Sequence, residues 1–334
     1  MHLGVDILEN EISKRYPGVL EQLLRDHTTQ KPIYWATDNY EELGAAYGYM
    51  SPIEVKLITG KNGHVIMPRV QKDKVLQQAR SKEMAEVFTP SWICNAQNNL
   101  IDNEWFGRKN VFNTETVTAK GLKTWKVSKK NISFSNSRTW KDYIRDTRLE
   151  MACGEAPYIT SRYDTTTGEF IPVAKRIGIL DRKLRVINEN VDSSSEWLKA
   201  AQTAYRNTYA FEWQGDNLLL AREAMLYTFI ENYFEKFGKE PIKKSIEFIA
   251  YIISWNVWQM DGLKGVLPES CKEKERTNVD LFGEQEKAGC KACAGGSIHS
   301  HIGVQCLIKD WRKKDPNAKG PGKRIKYVDL LKNK

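Results

Sequence analysis

The 334-residue chain is long enough for one large α/β domain or two smaller ones, and 51 Lys and Arg against 42 Asp and Glu leave a net charge of +9. That charge suits a polyanionic partner. No stretch is long and apolar enough to span a bilayer, and Met1-His2-Leu3-Gly4-Val5-Asp6 lacks the basic-then-apolar layout of a signal peptide, so a cytoplasmic protein with no membrane partner is expected.

Between residues 5 and 24 apolar side chains recur at helical spacing, interrupted by Pro17-Gly18, and Pro32-Ile33-Tyr34-Trp35-Ala36 reads as extended. Residues 54–59 and 64–68 alternate about Gly60-Lys61-Asn62-Gly63, the pattern of a hairpin. A helical and hairpin cap over residues 1–84 follows from these. Residues 71–86 read as a polar helix leading into Val87-Phe88-Thr89-Pro90. Thr89 is placed to cap the next helix through its hydroxyl and Pro90 suits the first helical position, which would leave free N–H groups facing an anion. Trp92, Ile93, Ala96, Leu100 and Ile101 carry that helix as far as Asp102-Asn103.

Residues 109–137 are basic, rich in Asn and Thr, and β-like. Lys123, Lys126, Lys129, Lys130, Arg138, Lys141 and Arg145 alternate there and just beyond with Trp125, Phe134 and Trp140, a mixture that serves phosphate contact and base stacking or simply a solvated face over a core. Helices are expected over 196–205, 217–237 and 243–253. In the second of these Leu218, Leu219, Ala221, Met225, Leu226, Phe229, Ile230 and Tyr233 mark the apolar face. Residues 272–287 are charged and read as a linker, with a boundary near Ser270.

The run Glu86-Val87-Phe88-Thr89-Pro90 resembles the start of the AdoMet pocket in the adenine-N6 DNA methyltransferases of restriction–modification systems, and the chain at large is similar to proteins named restriction endonuclease subunit M. The resemblance implies a Rossmann-like AdoMet methyltransferase sheet over residues 85–270, S-adenosyl-L-methionine as cofactor, DNA as substrate, and a restriction or specificity subunit as partner. It implies that Phe88, Thr89 and Pro90 lie against the cofactor. Residues 149–158 resemble the family's acidic-Pro-x-Cys-Gly-x-Gly loop: Glu150, Cys153 and Gly154 match, Ala156 replaces the second glycine, and Pro157 follows it.

Glu212, near the end of the β-like run 209–213, or else Asp216, would take the ribose hydroxyls, because a carboxylate accepts both protons. Asp216 reads equally as a helix cap. Asp261 would hold the adenine amino group, or it caps a turn while Trp255 and Trp258 fill the core. The family's Asn/Asp-Pro-Pro-Tyr/Phe loop, which orients the flipped base, does not occur after Asp261. Glu155, Pro157 and Tyr158 are its distant echo and stand as the catalytic candidates. Two functions are therefore expected: transfer of a methyl group to adenine N6, or a non-catalytic DNA-binding or partner-binding subunit that keeps the fold. A metal-dependent nuclease would need carboxylates clustered with a lysine, a pattern we do not find.

Of the six cysteines, Cys94 and Cys153 stand alone while Cys271, Cys290, Cys293 and Cys306 fall late in the chain. In a reducing compartment such a cluster points to metal before disulfides. Cys290-Lys291-Ala292-Cys293 forms a knuckle, with Gly289, Gly295 and Gly296 supplying turn freedom, and His301 and Cys306 complete a closed tetrahedral Zn²⁺ site, His299 and Cys271 being the substitutes. A structural zinc would order a module over 271–334 that is too poor in apolar residues to fold alone. Its basic flank offers Lys313, Lys314, Lys323 and Arg324 to DNA phosphates.

Overall fold

The computed structural model describes residues 4–83, 89–135, 137–273, 276–279, 285–316 and 320–331. The chain opens with two short helices, α1 (Glu9–Arg15) and α2 (Val19–Leu24), separated at Pro17-Gly18, where Gly18 takes a left-handed conformation. The segment 32–35 is extended, bridged from Pro32 to Arg25 and from Tyr34 to Pro52, and Ala36 after it takes a left-handed conformation.

The expected hairpin over 54–68 is not formed. Leu57 and Ile58 are adjacent and both buried, which a half-buried strand cannot achieve, and the run instead makes one helical turn, α3 (Val55–Ile58), followed by a tight turn at Gly60–Asn62. Next come α4 (Lys74–Glu83) and α5 (Ser91–Phe106). Thr89 does not cap α5. The helix starts at Ser91, whose N–H donates to Asp164 Oδ2 at 2.7 Å, so a carboxylate of the protein itself occupies that helix end. The buried face of α5 also differs from the expected apolar one: Leu100 and Ile101 are exposed, while Asn95, Asn98, Asn99 and Asp102 face inward. Arg182 explains the reversal, donating to Asp102 Oδ2 at 2.6 Å and to the side-chain oxygens of Asn95 and Asn99 at 2.9 Å. A buried guanidinium needs acceptors on the facing helix, and this face supplies them.

The β-like segment after α5 is an antiparallel hairpin of β1 (Asn113–Val117) and β2 (Lys123–Val127). A short helix follows, α6 (Trp140–Arg145), opened by a capping box in which Thr139 N–H and Oγ1 both donate to Asp142 Oδ2 at 2.7 Å. Three strands, β3 (Arg148–Met151), β4 (Thr208–Glu212) and β5 (Val257–Gln259), then form a parallel sheet in that order, with Glu150 opposite Ala210 and Glu212 opposite Gln259. Parallel neighbours require long crossovers. Here α7 (Ile179–Asn190) and α8 (Ser194–Arg206) connect the first pair, and α9 (Gly215–Phe237) and α10 (Lys243–Asn256) the second.

The architecture is thus mixed α/β with small sheets. The central strand β4 is buried at Thr208, Ala210, Phe211 and Glu212, as a covered parallel strand should be. The core centres on α9, which is buried on all sides from Gly215 to Ile230, the mark of a helix enclosed by the fold. Arg222 on α9 fastens the surroundings. Its guanidinium donates to Val257 O (2.6 and 2.8 Å) and Arg25 O (3.1 Å) and also to Leu23 O, meeting orphan carbonyls at the ends of α2 and α10.

Beyond β5 lie a four-residue helix, α11 (Ser270–Glu273), a hairpin of β6 (Arg276–Val279) and β7 (Gln285–Ala288), and a second hairpin of β8 (Leu307–Asp310) and β9 (Lys323–Lys326). The second hairpin packs on the sheet through Cys306, Ile308, Tyr327 and Val328 against Phe211, Trp258 and Met260. Among the described residues no helix is long and apolar enough to cross a membrane.

Candidate metal centre and neighbouring carboxylates

Cys271 lies on α11, Cys290 precedes and Cys293 lies within the tight turn Lys291–Ala294, and His301 follows the turn Ile298–Ser300. Cys293 N–H donates to Cys290 O at 2.9 Å, which folds the knuckle, and Gly295 with φ of +123° lets the chain reverse after it. Gly303 is required by space: a Cβ there would stand 2.9 Å from Cys271 Sγ and 2.6 Å from Ser270 Oγ.

These turns bring three sulfurs to one imidazole. His301 Nδ1 is 3.7 Å from Cys271 Sγ and 3.6 Å from those of Cys290 and Cys293, and the four donor atoms all lie within 4.8 Å of one another. With Zn–S near 2.3 Å and Zn–N near 2.0–2.1 Å, the S···N edge of a tetrahedron is about 3.6 Å. The four residues therefore fit a tetrahedral ion such as zinc. The N–H of Ile302 aimed at Cys290, with help from Cys293 N–H and His301, pulls that thiol down to about 6, so it is supplied as thiolate at neutral pH.

The ligand set departs from expectation at one position. Cys306 is fully buried beside Phe211 and Trp258, its Sγ directed to Gln259 O at 3.4 Å, and burial pushes its thiol well above the usual range. It belongs to the apolar contact between the β8–β9 hairpin and the sheet, and Cys271 takes its place. His299 stays outside the cluster.

Several of the other sequence-derived residues meet at the carboxyl end of the parallel sheet. Tyr158 N–H donates to Glu150 Oε1 at 3.4 Å, and its ring stands near Thr89 and Cys94. Burial pushes Glu150 up to about 8, so it holds its proton at neutral pH, and its Oε2 has no partner. Beside it, Cys153 N–H donates to Phe211 O at 3.0 Å and Gly154, at φ +53°, donates its N–H to Glu212 Oε2 at 2.8 Å. Glu212 Oε1 accepts from Gln214 N–H at 3.2 Å. Trp213 N–H also faces the carboxyl, and burial raises it above its usual value. Pro90 precedes α5 in the same neighbourhood, and Phe88 lies outside the described residues.

The remaining candidates are committed elsewhere. Glu155 is buried between Arg69 N–H (2.7 Å) and the Tyr163 hydroxyl (2.5 Å), beside half-buried Pro157. Asp261 closes a turn, accepting from Leu263 and Lys264 N–H at 3.0 and 3.2 Å and pairing with the Lys264 ammonium at 3.2 Å. It also lines a cavity of about 370 Å³ that reaches Cys271, Cys290 and Cys293. Asp216 is not an exposed cap, although its Oδ1 accepts from Asn217 N–H at 2.8 Å in the first turn of α9. It sits in a fully buried network with Arg80 (2.8 Å), Lys72 (3.3 Å) and the Tyr40 hydroxyl (2.8 Å). Burial opposes its charge, but Arg80 and Lys72 outweigh it and hold the carboxyl well below its usual value. Of the basic flank, Lys313 pairs with Asp310 at 3.5 Å, Lys314 and Lys323 are exposed, and Arg324 faces a separate cavity. The partners of Asp216 carried no signal in the sequence, since Tyr40, Lys72 and Arg80 lie 136 to 176 residues away with no shared motif.

No family model, curated protein or solved structure matches this chain.

Proposed function

We propose that the protein is an AdoMet-binding, DNA adenine-N6 methyltransferase-like subunit of a restriction–modification system, with a structural Zn²⁺ on Cys271, Cys290, Cys293 and His301. The observation that carries this reading is the convergence of Thr89, Tyr158, Glu150, Gly154 and Glu212 at the carboxyl end of adjacent parallel strands, where open α/β sheets bind their ligands. Protonated Glu150 offers a donor, and Glu212 is the acceptor for a ribose hydroxyl. When bound, AdoMet supplies an activated methyl group. The chain's own residues hold and orient: Gly154 lets the backbone approach, and Tyr158 brings an aromatic face beside the Thr89 segment.

The engagement of Glu155 with Arg69 and Tyr163 favours the second reading, a subunit that keeps the cofactor fold without completing the reaction alone. Calorimetric titration of zinc-loaded protein with AdoMet and S-adenosylhomocysteine tests the pocket, and Tyr158→Ala should weaken both at least tenfold. Absence of binding to either ligand overturns the cofactor assignment. A methylation assay on mixed-sequence duplex DNA then separates an enzyme from a silent subunit. One zinc per chain by elemental analysis is expected from the four-ligand site.

A further inference from the structure

A second cavity, of about 350 Å³, lies between the loop after α2, the end of α10 and the β8–β9 hairpin. Trp255 on its wall comes two residues before β5, at the amino end of that strand, whereas Glu212 and Asp261 belong to the carboxyl end, so it is independent of the proposed cofactor pocket. Three cations line it, Arg25, Lys309 and Arg324, against a single carboxylate, Asp315. Among the described residues none of the three cations has a carboxylate oxygen within 4.0 Å, whereas the neighbours Arg312 and Lys313 share Asp310 and the buried Arg80, Arg162, Arg176 and Arg182 are each paired.

Lys309 is the unusual member. It is 6% exposed, and its ammonium stands 4.8, 4.9 and 5.0 Å from the ring centres of Tyr251, Trp255 and Trp311 while donating to the Tyr251 hydroxyl at 2.5 Å. Three rings hold the charge in place but do not neutralise it. A buried, unpaired ammonium is costly, and such groups persist where an anion arrives. Two more features fit an incoming group rich in acceptor oxygens. Trp255 Nε1–H is a buried donor with no acceptor, on a residue only 4% exposed. His27, stacked on Trp255 at 3.9 Å, is pushed down to about 3, first by burial and then by Arg222, Arg25 and Lys309, so it stays a neutral wall of the cavity.

We propose that this cavity binds a phosphate ester, with Lys309 as its fixed central charge and the exposed Arg25 and Arg324 closing on the oxygens from either side. Guanidinium forks match phosphate geometry, and the volume accommodates a nucleotide. The ester has two sources, the backbone of a DNA strand or a free mononucleotide.

The test is tryptophan fluorescence of the zinc-loaded full chain, since Trp255 and Trp311 flank Lys309, titrated with inorganic phosphate, deoxyadenosine 5′-monophosphate and a short duplex. Arg25→Gln with Arg324→Gln changes two exposed side chains and leaves the fold intact. The double variant should lower affinity at least tenfold, and Lys309→Met should abolish binding. If Lys309→Met does not fold, the double variant decides. Duplex binding that phosphate displaces, with a salt slope reduced by about one per lost contact in the double variant, identifies the strand as source. Saturable mononucleotide binding without duplex binding identifies the small ester. No response to any of the three probes, or equal affinity in parent and double variant, overturns the proposal.

Discussion

The region around α9 and the Cys/His segment after β5 are ordered by different means. From Leu218 to Tyr233 nearly every side chain of α9 is buried among Ile12, Leu20, Trp197, Ile249 and Ile253, so burial alone accounts for its rigidity. Around Cys271, Cys290 and Cys293 the apolar cluster shrinks to Val266, Ala292 and two of the ligand cysteines themselves. A segment so poor in apolar contacts would take its order from an ion that these four donors can hold. The contrast gives the sharpest prediction: Cys290→Ser with Cys293→Ser should reduce zinc from about one ion per chain to none, by the four-ligand rule. Hydrogen exchange should then show residues 285–305 losing protection while α9 keeps it. A metal-free double variant with unchanged protection in that segment would show that packing suffices there too.

Within the packed region, two buried acidic groups differ as sharply. Asp216 is matched by Arg80 and Lys72, whereas Glu9 and Glu223 are buried with no hydrogen-bond partner among the described residues on any of their four carboxylate oxygens. Removing one member of a matched buried pair leaves the other charge stranded, at a cost of about 3–5 kcal/mol, so Asp216→Asn should lower the urea midpoint strongly at pH 7. The sign of the pH dependence follows from the lowered carboxyl: the contribution of Asp216 is fully present above the ordinary value of 3.8 and is lost as pH falls below it toward the folded value. Loss of stability in Asp216→Asn should therefore shrink on acidification.

The unmatched pair behaves in the opposite sense. Burial pushes Glu9 up to about 9 and Glu223 well above its usual value, with Asp6 adding to both and Glu9 to Glu223. In the folded state they keep protons that the unfolded chain releases above about 4.5, so stability falls as pH rises from there toward the folded values. Glu223→Gln should leave the urea midpoint near pH 5 little changed and raise stability at pH 8 by at least ~1.4 kcal/mol, the equivalent of one pH unit. A lower midpoint at pH 8 would show that the carboxylate has an unrecognised donor.

The same contrast governs what could be read from the sequence. Helices expected over 196–205, 217–237 and 243–253 occur as Ser194–Arg206, Gly215–Phe237 and Lys243–Asn256, because a 3.6-residue apolar period reports packing directly. The approach failed where burial is polar or adjacent. The inward face of α5 is made of Asn and Asp because Arg182 faces it, and Val55 and Leu57 mimicked alternation while Ile58, buried beside Leu57, marks a helical turn. At the candidate metal centre the Cys-x-x-Cys spacing picked out Cys290 and Cys293, while His301 stood beside His299 as an alternative until the geometry separated them. The choice between Cys271 and Cys306 was not local, since it depends on which of the two the sheet buries.

That choice supplies the smallest effect and the closest discrimination between the two regions. If Cys306 serves packing alone, Cys306→Ser should keep the full zinc content, because none of the four donor atoms is touched. The new hydroxyl would still find Gln259 O, now 3.4 Å from the sulfur, so the cost is that of a polar atom replacing sulfur in an apolar contact, about 1 kcal/mol. Cys271→Ser should do the reverse, losing metal while leaving the contact of Ile308 and Tyr327 with Phe211 and Trp258 in place. The pair of variants, compared by zinc content and thermal midpoint, asks which thiol answers to the ion and which to the core. Zinc lost from Cys306→Ser and retained in Cys271→Ser would reassign the fourth ligand.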